Sequence, residues 1–193
     1  MDKIQRILPI QSRNLKSPVV FAFNVLTNHY LAYGTNQYKA LQKIIQKYNH
    51  VKDFYLLPNV TSVSMTIEQR GAQLAANLKE LAIQEKFGNR RVHLLAHSFT
   101  GIDARAALSL YGMDANLVRS LSTVSTPHLG MRLIDNHARW PDRFLIELSE
   151  KAFEAVGVSQ QSAQEFTSGN IADFNRVAED VDGVEYFSVG AHK

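Results

Sequence analysis

Ser98 is the residue whose surroundings point most directly to chemistry. An apolar run, Val92 to Ala96, stops at His97-Ser98. From Phe99 onward the spacing turns helical, with Ile102, Ala106 and Leu110 on one stripe. A strand feeding a helix through one sharp turn leaves the serine at the tip with its hydroxyl outward, the geometry of a nucleophile elbow. Such a turn strains the backbone at the serine and asks for small residues two places away. Ala96 meets that demand, Thr100 is larger, and Gly101 beside it lets helix and strand approach closely. The same junction also arises where a serine simply caps a helix, and these residues alone leave that alternative open. A serine hydroxyl is a poor nucleophile at neutral pH, so it needs an imidazole to take its proton and a carboxylate to orient that imidazole. The backbone N–H of Phe99, at a helix N-terminus, is the one credible oxyanion donor in the local sequence.

After this junction comes a second apolar stretch, Leu117 to Val124, followed by Ser125-Thr126-Pro127-His128-Leu129-Gly130. Together these resemble the triacylglycerol lipases of the α/β-hydrolase superfamily. The matching residues are Ala96-His97-Ser98-Phe99-Thr100-Gly101, Arg105 seven places after the serine, and Thr126-Pro127-His128-Leu129-Gly130. Leu57-Pro58-Asn59-Val60, Arg70-Gly71 with Leu74, and Gly183 to Gly190 also match, so the likeness runs from about Pro18 to Gly190. The resemblance implies a doubly wound, mostly parallel α/β sheet and a lipase or carboxylester hydrolase acting through an acyl-Ser98 intermediate, with Phe99 and Val25 supplying the oxyanion hole. It also implies a helical cap inserted at 131–182, with Phe144, Leu145, Leu148, Phe153 and Phe166 lining an apolar acyl pocket. At the loop after the first strand the family has His-Gly where this chain has Phe23-Asn24, followed by Val25.

In that family the acid follows the strand ending here at Gly190, and the histidine lies further on. The chain stops at Lys193, so the expectation is of an incomplete triad and a weak enzyme. A different class remains beside it: an inactive hydrolase-fold protein that binds a lipid or a partner. Asp173, Asp180 or Asp182 with His192 would keep the required chain order. His97 is expected to point into the structure as a packed, hydrogen-bonded residue, His128 to be structural, His93 to lie within a strand, and His29, His50 and His137 to lie at the surface. No histidine spacing suggests a metal site, and no cofactor is expected.

The elements that position these residues follow from periodicity. Strands are expected at Val19–Phe23, Phe54–Leu57, Val92–Ala96, Leu117–Val124 and Val184–Ser188. An amphipathic helix is expected over Asn36–Tyr48 through Tyr38, Leu41, Ile44, Ile45 and Tyr48. A second opens on the capping box Thr66–Gln69, runs through Ile67, Leu74, Leu78 and Leu81, and stops at Gly88-Asn89. Helices are also expected at Pro141–Val156, Ser159–Phe166 and Ile171–Val177. The alternation of strand and helix makes a parallel sheet with helices on both faces, in one domain spanning 1–193.

Composition agrees. The 193 residues are 45% hydrophobic and 20% charged, enough for one ordinary core and too ordered in composition for disorder. A formal charge of +3 is too small to argue for nucleic acid. No apolar run reaches transmembrane length. The absence of cysteine excludes disulfides and fits a reducing compartment. Residues 1–17 are basic and nearly acid-free, which reads as a solvated lead-in or a mitochondrial presequence, with the first preferred and an intracellular, cytoplasmic location expected. The expected partner is an acyl ester or lipid, with transient contact at a lipid surface.

Overall fold

The computed structural model describes residues 16–25, 39–40, 42–44, 47, 53–60, 65–113, 115–137 and 164–190. Five strands form one parallel sheet: β1 (Val19–Val25), β2 (Phe54–Val60), β3 (Val92–His97), β4 (Val118–Val124) and β5 (Glu185–Val189), in the order β2-β1-β3-β4-β5. All four pairings are parallel. The apolar runs of β1 and β3 became buried parallel strands, as their length and β-branched content require, while β5 lies exposed at the edge of the sheet. Between Val92/His93 and β4 the register shifts: Val92 pairs with Val118 but His93 pairs with Ser120. The extra residue, Arg119, is pushed out to solvent.

Four labelled helices flank the sheet: α1 (Ile67–Gln84), α2 (Thr100–Leu110), α3 (Arg132–His137) and α4 (Ser168–Val177). The described positions between 39 and 47 are helical too, with Ile44 exposed. α1 opens on the expected box, in which Gln69 N–H donates to Thr66 Oγ1 at 3.3 Å and Thr66 N–H to Gln69 Oε1 at 2.9 Å. It ends at Gln84, four residues before Gly88. There the Phe87 N–H turns back to Ala82 O at 3.0 Å and drives the ring into the core, 2% exposed. Lys86, with φ 51°, takes the left-handed turn that ends the helix, its N–H donating to Ile83 O at 3.2 Å, so the chain leaves the helix before Gly88.

The main core lies between one sheet face and helices α1 and α2, where Leu74, Leu78, Val20, Ala22, Leu94 and Leu121 meet. Leu74 and Leu78 are fully buried, each contributing about 1.5–3 kcal/mol. On the other sheet face Val19, Phe21, Phe23 and Phe54 form a smaller cluster. A third cluster joins α2 to the later segments through Ile102, Ala106, Ile134, Phe166, Ile171 and Phe174. Ile102 and Ala106 are thus buried as expected, but Leu110 is 39% exposed, because it occupies the last turn of α2 where the chain leaves the sheet. Glu165 and Phe166 lie in a turn before α4 rather than in a helix. The helix expected at Pro141–Val156 lies outside the described residues, as do 159–163 and His192.

Candidate active site

β3 delivers Ser98 to the end of the sheet, and the turn there is tight. Ser98 has φ 57°, a left-handed conformation that serine adopts at a cost of about 1–2 kcal/mol. Its N–H donates to Val124 O at 2.9 Å, extending the β3–β4 ladder by one residue. Its carbonyl accepts from Gly101 N–H at 3.0 Å and from Thr126 Oγ1 at 2.9 Å. The serine backbone is therefore clamped from β4, from α2 and from the turn after β4. The capping alternative is excluded by the helix itself: the residue preceding α2 is Phe99, and no side chain caps it. With φ above zero, Ser98 cannot sit as an N-cap does.

The small-residue rule is met in an unexpected way. Ala96 is fully buried behind the turn, and so is Thr100. Thr100 fits, but its Oγ1 is buried without a hydrogen-bond partner. Gly101 makes its close approach to Thr126 in the turn after β4: a Cβ at Gly101 would overlap the Thr126 side chain. Gly and Thr126 thus lock the two turns together, and the second turn has a strained residue of its own at Ser125, φ 52°.

The Thr126-Pro127-His128-Leu129-Gly130 segment is pinned from several sides. His128 Nε2 lies 2.8 Å from Thr123 Oγ1, and its carbonyl accepts from Asn175 Nδ2 at 3.0 Å. Arg105 reaches from α2 to Asn175 Oδ1 at 2.6 Å and Ala178 O at 3.0 Å, with its guanidinium 5.3 Å from the Phe174 ring centre. Gly130, φ 79°, lies so close to α4 that a Cβ would stand 2.5 Å from Ser168 Cα. Desolvation, then the nearby Arg105 charge, holds the His128 imidazole below its ordinary value of 6.5. His93, lowered by desolvation and then Arg119, sits 2.7 Å through Nδ1 from Ser120 Oγ.

His97 departs from expectation. It is exposed, not packed, because it falls at the end of β3 on the face where Val124 and Val189 are its neighbours in register, and Val189 is itself 60% exposed. Among the described residues no histidine or carboxylate is hydrogen-bonded to the Ser98 hydroxyl. Asp173 is committed to an exposed ion pair with Arg176 at 2.6 Å, and Asp180 and Asp182 are exposed.

Phe99 follows Ser98 with helical dihedrals, φ −58° and ψ −31°. Its ring meets that of Phe166 at 4.1 Å between centroids. Phe166, expected to line the pocket, is thus next to the Ser98 turn, where it is 2% exposed; Phe144, Leu145, Leu148 and Phe153 lie outside the described residues. The segments expected as cap are partly described, and α3 and α4 pack directly on α2. Val25 ends β1. Ala22 pairs with Ala96, and counting on from there puts Asn24 level with Ser98 and Val25 one residue beyond.

Arg70, marked in the sequence with Gly71, meets partners that the sequence does not mark. Arg70 of α1, 4% exposed, donates through Nε to Asp103 Oδ1 at 2.9 Å, and through Nη1 to Met65 O at 2.6 Å and Glu165 Oε2 at 3.4 Å. Its two carboxylate partners are 33 and 95 residues away, so no periodicity marks them. Burial raises the Glu165 carboxyl above its ordinary value against the pull of Arg70. Among the described residues no group of three or more His, Asp or Glu is placed to hold a metal, and no helix is long and apolar enough to cross a membrane.

No protein-family model matches the chain. Over 131 residues, 65% of the chain, it is 31% identical to triacylglycerol lipase 2 of Saccharomyces cerevisiae, and the match spans 37% of that protein's length. Among solved structures, a lipase of Bacillus licheniformis in its mature form superposes with TM-score 0.63 at 21% identity, covering 94% of this chain and 67% of the other. A phospholipase of Legionella pneumophila gives 0.66 at 17% identity over 92% of this chain and 39% of its own. A metagenomic carboxyl esterase gives 0.62 at 15% identity over 98% and 54%. At such identities these structures speak for architecture alone, and the architecture shared here, a five-stranded parallel sheet flanked by helices, is that of the α/β-hydrolase lipases and esterases.

Proposed function

We propose that this chain is the nucleophile-bearing part of a lipase or carboxylester hydrolase in which Ser98 Oγ attacks the ester carbonyl. The observation that carries the reading is the left-handed Ser98 (φ 57°) between β3 and α2, with its backbone held on both sides and its side chain left out of any helix cap. The 31% identity with the yeast lipase across this region supports the substrate class.

In this reading the Ser98 oxygen bonds to the acyl carbon, and its proton leaves to a base. The carbonyl oxygen takes the electron pair as an oxyanion, and the alcohol departs when the carbonyl reforms, leaving the acyl group on Ser98. The Phe99 N–H is aimed by the helix turn that begins there, and Val25 is the second candidate donor, at the end of the neighbouring strand. Phe99, backed by the buried Phe166 ring, gives the site an aromatic side, suited to an apolar acyl group and a lipid-derived ester. The reading in which the protein only binds lipid rests on the unlocated base, on Phe23-Asn24 where the family has His-Gly, and on Thr100 where a small residue is asked for.

The test is covalent. A fluorophosphonate probe should label the protein on the peptide carrying Ser98, and Ser98→Ala should abolish both labelling and hydrolysis of p-nitrophenyl butyrate. Labelling of another residue, or hydrolysis that survives in Ser98→Ala, would overturn the assignment.

A further inference from the structure

We propose that Arg70 is a positioning residue for the turn at Ser98, acting through the Phe166 ring beneath it and the Asp103 carboxylate it holds. Two separate routes run from this guanidinium to Phe99. In the first, Arg70 Cζ lies 5.3 Å from the Phe166 ring centre, and that ring lies 4.1 Å from the ring of Phe99. In the second, Arg70 Nε holds Asp103 Oδ1 at 2.9 Å, and the Asp103 N–H donates to Phe99 O at 3.2 Å. Both routes end on the residue whose N–H faces the proposed oxyanion. The inference rests on the reading of Ser98 as nucleophile only for its functional meaning; the positioning itself is a property of the fold.

A buried ion pair is a poor way to add stability, since desolvation of both charges consumes most of their attraction. What an arginine adds is direction: a planar fork that serves several acceptors in fixed geometry and stacks on an aromatic face. Arg70 does this through Nε and Nη1, its Nη2 being buried without a partner. It joins Met65 ahead of α1, Asp103 on α2 and Glu165 before α4, while its Cζ lies over the Phe166 ring. Phe166 is fastened from below as well, its carbonyl accepting from Met131 N–H at 2.8 Å. Asp135 grips Ser168 through N–H at 2.8 Å and Oγ at 2.5 Å.

The test separates positioning from simple packing. In Arg70→Met/Asp103→Leu both buried charges are replaced by apolar groups of similar size, so the fold should survive with its thermal midpoint kept or raised. Hydrogen exchange would then be followed at the Gly101 and Ile102 amides, which donate to Ser98 O and Phe99 O at 3.0 and 2.9 Å. Exchange at these two, relative to the strand amides of Leu94 and Leu121, should quicken at least tenfold in the double variant. Labelling of Ser98 by a fluorophosphonate should slow by a similar factor. Unchanged exchange in a folded double variant, or a uniform quickening of all four amides, overturns the proposal and leaves an ordinary structural ion pair. Should the double variant fail to fold, Arg70→Lys is read by the same ratio: it keeps a charge for Asp103 but loses the fork and the stack. A wild-type protein that takes no label would count against the nucleophile, while the exchange ratio still decides the role of Arg70.

Discussion

Gly101→Ala is the sharpest test of how the Ser98 turn is packed. The new methyl would overlap the Thr126 side chain, with Cγ2 at 2.7 Å and Cβ at 2.9 Å and the hydroxyl nearer still. Thr126 is not the free end of a flexible side chain. Its Oγ1 bonds to Ser98 O at 2.9 Å and its backbone belongs to the turn fixed by His128. Forcing a methylene-sized group into such a site costs about 1–3 kcal/mol. Rotating Thr126 away loses a hydrogen bond worth about 1 kcal/mol more. Alanine regains at most about 1 kcal/mol of helix propensity over glycine, and less in a first turn. The net expectation is a loss of about 1–3 kcal/mol, which for a chain of this size is about 2–4 °C in Tm per kcal/mol. Thr126→Ala in the same background removes the two worst overlaps and should restore part of the loss, giving a coupling of about 1 kcal/mol in a double-mutant cycle. Thermal and urea unfolding of the four proteins measures it. Gly101→Ala as stable as wild type, or effects that simply add, would show that the two turns are not locked together as described.

Other expectations follow from single contacts. Ser98→Gly should be more stable than Ser98→Ala by about 1 kcal/mol, since glycine alone relieves the φ of 57°; urea unfolding with Ala ahead of Gly would contradict the strain. Gly130→Ala combines a positive φ with a Cβ 2.5 Å from Ser168 Cα, so it should lose about 2 kcal/mol or more and expose the Phe166–Phe174 region to faster hydrogen exchange. His128 and His93 both titrate below their ordinary 6.5, so between that value and their folded values the unfolded chain binds more protons. Stability should therefore fall as pH drops from about 6.5, and His93→Gln and His128→Gln should each flatten that slope; a slope unchanged in both variants refutes the assignment. Arg70→Met alone should lose about 3–5 kcal/mol by stranding the buried Asp103 charge, with the added Asp103→Leu recovering most of it in thermal unfolding.

The sheet was legible because its signal is local. Val92–Ala96 and Val19–Phe23 are unbroken apolar runs, which only a buried parallel strand accommodates at that length, and the serine breaks the first of them at the turn itself. Thr66 and Gln69 announced α1 because a capping box is complete within four residues. What stayed hidden depends on residues far apart. α1 ended on a left-handed Lys86, with Phe87 folded back into the core, and not at Gly88. The Arg70 cluster spans α1, α2 and the turn at Glu165, and nothing near Arg70 in the chain says which carboxylate it meets. Gly101 was correctly singled out as a close approach, but its partner, Thr126, belongs to the next turn, which no reading of the strand–helix junction alone contains. His97 shows the reverse error: alternation says only which face a side chain takes, and how well that face is covered is decided by the rest of the molecule.

Strand order also explains why Ser98 is where it is. The chain runs from β1 out to β2 on one side and returns to β3 on the other, so the switch in direction lies between β1 and β3. In open parallel sheets the connections leaving two such strands diverge, which opens a crevice outside their carboxyl ends. Val25 closes β1 and Ser98 follows β3, the two neighbouring strands at which the order reverses. A serine forced into a left-handed turn elsewhere on the sheet would be strain without use. In the reading proposed above, the same strain stands the Ser98 hydroxyl at the carboxyl end of the sheet, with Phe99 beginning α2 beside it. The clamps on its backbone from Val124, Gly101 and Thr126, and the Arg70–Phe166 stack behind Phe99, then oppose the relaxation that this strain would otherwise drive.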